Sequence, residues 1–195
     1  MKKALLAILL LIVAVVLCVL VLAASKPDTY TIERSATIAA APEQVFPFVN
    51  DFHQWTQWSP WEHLDPNLKR SYDGPASGQG AIYSWTGNDK VGEGKMTITE
   101  SMPASKVGIQ LEFIKPFAST NQTTFDFVPS GAGTQVVWKM SGNNNYMSKV
   151  MTVFMNMDQM VGKDFESGLS NLKTLAEGAA PADTTQPDTL TTSVP

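Results

Sequence analysis

Both histidines of the chain fall in one aromatic stretch, HQWTQWSPWEHLDP at residues 53–66, with Trp55, Trp58, Trp61, Glu62 and Asp65 beside them. Histidine titrates near neutral pH, and a carboxyl group can be tuned towards it. His53, His63, Glu62 and Asp65 are therefore candidates for general acid–base work if one of them faces a cavity. Glu100 joins them, because it shares strand parity with Met96 and Ile98 and could point inward with them. Each has a blander reading: a strand-terminal glutamate usually reaches water, and the histidines suit a solvated loop or a hydrogen bond near the tryptophans. No familiar catalytic pattern is complete. The histidines are too widely spaced for a helical H-x-x-x-H pair and have no cysteine near them, so neither a metal nor a cofactor is expected. The sequence has no glycine-rich phosphate loop and no G-x-S-x-G elbow, and Gly78-Gln79-Gly80 reads as a turn before a strand.

Two apolar sets point instead to packing or binding. The tryptophans could fill a core corner, rim a cavity, or lie at a membrane interface, where the indole ring is favoured. Pro60 interrupts any helix through them, so the three rings are not expected to form one stripe. Met147, Met151, Met155, Met157 and Met160 crowd into one segment. Methionine is flexible and polarisable, suited to irregular gaps and to adaptable apolar surfaces. These five fall on different helical faces and cannot all serve one purpose.

The elements that would position these residues can be read from hydrophobic period. Residues 30–40 read as a strand. Pro42 opens a helix carrying Val45, Phe46 and Val49, and a second short helix or turn covers Phe52 to Trp58. Strands are then expected at 69–72, 80–85, 94–102, 107–114, 120–128 and 135–141, separated by glycine and proline turns. Val107, Ile109, Leu111 and Phe113 share one face, and Phe125 and Phe127 oppose Thr124 and Asp126, as in an antiparallel sheet wet on one side. A single long helix is expected from about Met147 to Glu177, with Val150, Phe154, Met157, Val161, Phe165, Leu169 and Leu172 recurring every three or four residues.

The chain ends differ from this domain. Residues 4–24 are an uninterrupted apolar run, long enough as a helix to span roughly 30 Å, the thickness of a bilayer's hydrocarbon core. That exceeds the apolar core of a secretory signal, and although Ala23-Ala24-Ser25 would serve for cleavage, an uncleaved transmembrane anchor is expected. Lys2 and Lys3 before the span place the domain outside the cytoplasm, in the cell envelope. Residues 25–28 form a short linker, 29–177 a single domain, and 178–195, rich in Pro, Thr and Ala, a disordered tail. A net charge of −4, with no basic run interleaved with aromatics, excludes nucleic acid as a main partner.

The order of strand, two short helices, strand meander and long helix, with IERSATIAAAPEQVFPFVNDFHQWTQWSPW at its start, resembles the SRPBCC or START-like superfamily, in its polyketide cyclase/dehydrase-like branch. Arg34-Ser35, Ala41-Pro42, Val45-Phe46, Asp51 and the tryptophan run carry the likeness, which covers about residues 30–175. It implies an α+β helix-grip fold, a curled antiparallel sheet around the C-terminal helix with a hydrophobic cavity between them. The expected lining is Trp58, Trp61, Trp85, Met96, Ile98, Ile109, Leu111, Phe125, Phe127, Trp138, Phe154, Met157 and Val161. The expected partner is a hydrophobic small molecule or lipid, bound without chemistry. A cyclase, dehydratase or hydrolase acting on an apolar substrate in the same cavity is the alternative, and an envelope interaction module with a filled cavity a third. No protein partner is legible.

Overall fold

In–out alternation along much of residues 107–113, 121–127 and 134–140 builds the body of the molecule. In the computed structural model, which describes residues 2–179, Val107 and Ile109, Phe125 and Phe127, and Val136 and Trp138 are buried on one face of a seven-stranded antiparallel sheet. The strands are β1 (Thr29–Ile38), β2 (Lys69–Asp73), β3 (Ile82–Thr86), β4 (Glu93–Met102), β5 (Lys106–Lys115), β6 (Ser119–Ser130) and β7 (Gly133–Asn143). Their spatial order is β1-β7-β6-β5-β4-β3-β2, a meander closed by β1 laid along β7. The helices are α1 (Lys2–Ala24), α2 (Pro42–Asn50), α3 (Tyr146–Phe154) and α4 (Met157–Ala179), with 3-10 turns at Phe52–Gln57 and Pro60–His63.

The helix α4 buries Phe165, Leu169, Leu172 and Ala176 against the sheet's inner face, so the helix-grip architecture is present. Gly168 sets how closely it approaches, since a Cβ there would stand 2.8 Å from the Trp138 ring. Arg34 on β1 fastens its first turns. The guanidinium donates to both carboxylate oxygens of Asp158, at 3.1 and 3.0 Å, and to Glu166 at 2.7 Å. These bonds raise the Arg34 pKa, and the same Arg34 contact holds the Asp158 carboxyl below its usual range.

The expected single helix from Met147 to Glu177 is two. At Met155 the backbone turns extended, and Asn156 restarts the chain by accepting the Gln159 N–H at 3.1 Å, as Asn145 accepts that of Ser148 for α3. The apolar spacing runs straight through this junction, which is why it conceals the break. At the other end α4 takes in Gly178 and Ala179, and the rest of the expected tail, 180–195, lies outside the described residues.

Trp55 and Trp58 have a specific structural role. Their indole N–H groups donate to the carbonyls of Val49 at 3.0 Å and Phe48 at 2.9 Å. Those carbonyls belong to the last turn of α2, which has no further helical N–H to bond them. With Trp58 only 1% exposed and Trp55 buried beside it, neither can reach a membrane interface. Trp58→Phe keeps the aromatic packing but strands the Phe48 carbonyl, and urea unfolding of the detergent-solubilised chain should show a loss of about 1–3 kcal/mol. Gly168→Ala should lose a similar amount, about 1–3 kcal/mol, through overpacking against Trp138.

Candidate functional site

The sheet's inner face is solid at one end and hollow at the other. Ile98, Val107, Ile109, Phe125 and Phe127 pack with Val45 and Val49 of α2 and Leu169 and Leu172 of α4, leaving no space. Further along the same strands the inward positions become Leu111 and Phe113 on β5, and Thr123 and Asn121 on β6. There a cavity of about 440 Å³ opens between the sheet, α3 and α4. The Trp138 ring, stacked on Phe165 at 4.0 Å, forms the partition between the two ends.

Of the expected lining residues, Trp61, Trp85, Met96, Leu111, Trp138, Met157 and Val161 lie around this cavity. Six do not. Trp58, Ile98, Ile109, Phe125 and Phe127 belong to the solid end, because inward parity alone does not say how far along a strand the core stays filled. Phe154 is 70% exposed at the end of α3, where the helix break turns it outward. Other lining residues were not among those expected: Tyr30, Phe117, Asn121, Thr123, Met151 and Asp164. Asn121 and Thr123 did carry a signal, being polar residues on the inward parity of Phe125 and Phe127.

The candidate acid–base groups separate sharply. Glu100 does not point inward, because a β-bulge skips Thr99: Ile98 pairs with Ile109, but Glu100 pairs with Gly108, the next residue and so the opposite face. There it forms an ion pair with Lys106 at 2.7 Å. His53 stacks on Tyr72 at 4.1 Å and meets Asp51 at 2.8 Å, on the half-exposed outside of the 3-10 turn. His63 is exposed and off the cavity. Asp65 is buried but accepts the Asn67 and Asn88 backbone N–H groups at 2.9 and 2.7 Å, tying two loops together.

Glu62 does line the cavity, and it is 5% exposed. Arg70 Nε donates to one of its oxygens at 2.6 Å, and the Tyr83 hydroxyl donates to the other at 2.6 Å. Arg70 Nη2 also donates to the Glu62 carbonyl at 2.9 Å. Burial first, and the bond to Glu62 second, push the Tyr83 phenol well above its ordinary value, so it stays protonated as the donor. A buried carboxylate engaged on both oxygens is a satisfied one. Across the cavity, Asp164 is raised by burial, partly opposed by a hydrogen bond from Trp61. Tyr30 donates to Asn121 at 2.8 Å. Trp138 Nε1 and Thr123 Oγ1 have no hydrogen-bond partner among the described residues and are sealed beneath their neighbours, not opened to the space. The described residues also bring together no three His, Cys, Asp or Glu side chains able to hold a metal. The arrangement can enclose an apolar molecule beside a few fixed polar groups.

Comparison with known proteins agrees with this architecture. Residues 29–177 match the family model described as polyketide cyclase / dehydrase and lipid transport. Among solved structures, protein CV1439 from Chromobacterium violaceum is 15% identical, with a TM-score of 0.55 over 78% of this chain and 99% of its own. The KanY protein (ms6282) gives 0.59 at 16% identity over 78% and 100%. The di-domain ARO/CYC BexL from the BE-7585A biosynthetic pathway gives 0.59 at 16% over 82% and 53%. At these identities the likeness is one of fold. No curated protein sequence matches the chain. With the family model covering the whole folded domain, the chain belongs to the polyketide cyclase/dehydrase and lipid-transport family.

Proposed function

We propose that the chain is a membrane-anchored binding domain for a hydrophobic small molecule or lipid, held at the surface of the bilayer that α1 spans. The observation that carries this is the cavity itself. Its volume of about 440 Å³ falls in the range of about 300–1,000 Å³ of small-molecule sites. Leu111, Phe113, Trp138, Met157 and Val161 give it mostly apolar walls. Open space of that size argues against an interaction module with a filled core. The helix Lys3–Ala24 is long and apolar enough to cross a membrane and exposes its side chains almost throughout, as an anchor would. Lys2 and Lys3 favour a cytoplasmic N-terminus and an extracytoplasmic domain.

A second reading, chemistry on an apolar substrate in the same cavity, draws on the Glu62–Arg70–Tyr83 cluster in its wall. Ligand binding is preferred because both Glu62 oxygens are already committed to donors.

Native mass spectrometry of the full chain extracted from its host membrane tests the binding reading. A retained apolar molecule is expected, and none should be retained when Leu111→Trp and Val161→Trp fill the space; a cavity empty in both proteins would sink the reading. The same measurement on Tyr83→Phe separates binding from catalysis. A binder keeps a molecule of unchanged mass, whereas an enzyme that needs Tyr83 accumulates an unconverted substrate of different mass.

A further inference from the structure

Outside α1, nine of the twelve exposed large apolar side chains of the described residues fall in two segments: Ile114 and Phe117 at the β5–β6 turn, and residues 146–160 of α3 and its junction with α4. Phe117 is 65% exposed, Met147 63% and Phe154 70%. The same two segments frame the opening of the cavity, where Phe117, Met151 and Met157 are at once lining and exposed.

The depth of the second segment is fixed by α1. The helix α3 packs on the last turns of the apolar span, burying Ala23 and half-burying Val19. The Tyr146 hydroxyl donates to the Leu20 carbonyl at 3.1 Å, and Leu20 lies roughly 6 Å short of the end of the helix at Ala24. The polar contacts of α3 sit at the linker: Lys149 pairs with Asp28, and Asn144 donates to the carbonyls of Asp28 at 2.7 Å and Pro27 at 3.2 Å. Side chains packed on a membrane span share its depth. A tyrosine at the boundary, a lysine turned to the linker and methionines on the remaining surface make an interfacial amphipathic helix.

We propose that α3, its junction with α4 and the β5–β6 turn are set into the leaflet that holds the C-terminal end of α1, so that the cavity opens onto lipid and exchanges its ligand with the leaflet directly. This rests on α1 being an anchor. The partner is the phospholipid surface of that same membrane, because the packing of α3 on α1 leaves the side chains of α3 at no other level and Phe117 shares the cavity mouth with them.

The test uses the full chain with Cys18→Ser, reconstituted in phosphatidylcholine vesicles and labelled with a fluorophore at one introduced cysteine: Phe117→Cys, Phe154→Cys, Val13→Cys within the span, or Val128→Cys at the opposite end of β6. Lipids brominated along the upper acyl chain should quench the labels at 117 and 154, consistent with a depth of about 5–10 Å. The label at 128 should be unaffected. Quenching at 13 with emission unchanged at 117 or at 154 overturns the docking and leaves the anchor standing. No quenching at 13, even with lipids brominated near the bilayer centre, overturns both. Equal quenching at 128 also overturns the docking, because the surface would then be nonspecific.

Discussion

Trp138 lies face to face with Phe165 of α4 at 4.0 Å and an angle of 7°, with the rings of Trp55, Trp58 and Trp61 meeting it edge-on. Edge-to-face and stacked contacts of this kind suit the ring quadrupole and add to the large area each ring buries. The whole arrangement depends on this sandwich. It fixes the height of α4 above the sheet, which Gly168 makes possible by carrying no side chain against the indole. It also ends the solid core, so that the space beyond it stays open instead of being closed by collapse of the helix onto β5 and β6. Stability and hollowness, usually in opposition, are thereby separated along one axis of the sheet.

Much of this was legible in the sequence, because most of it depends on period. Alternation marked the inward faces of β5 and β6, the apolar face of α4 was visible in Phe165, Leu169 and Leu172, and the tryptophan run marked the family. What period could not show was where along the strands packing would stop. Ile109 and Leu111 are indistinguishable in type and parity, yet one is sealed in the core and the other lines the cavity. Local irregularities escaped for a related reason. The bulge beyond Ile98 reverses the parity of Glu100 without changing any residue type, and Asn156 breaks a helix whose apolar spacing continues undisturbed. The role of Trp55 and Trp58 as donors to the end of α2 is a matter of reach through space, which no spacing rule encodes.

The polar groups at the site follow one logic. Removing a carboxylate from water is costly, and the cost is offset only when geometry and hydrogen bonds are good. Glu62 meets that condition through Arg70 on one oxygen and the Tyr83 hydroxyl on the other. The cluster also ties the 3-10 turn at Pro60–His63 to β2 and β3, at the edge of the sheet. Arg34 does the corresponding work at the opposite edge, joining β1 to α4. One charged clasp thus stands at each margin of a sheet whose middle is held by apolar burial.

The contacts of α3 with Leu20, Ala23 and Asp28 turn what would be a tether into a bracket. A flexible linker lets a domain sweep a volume and makes its target an intramolecular partner over the radius that the linker allows. A bracketed domain has no such radius. With α1 as the anchor proposed above, its search would be two-dimensional, by lateral drift of the whole molecule, and it could not swing to a second membrane or reach far into the aqueous space. Any cargo it held would travel no farther from the lipid than the depth of the cavity, and onward movement would require an acceptor that comes to it.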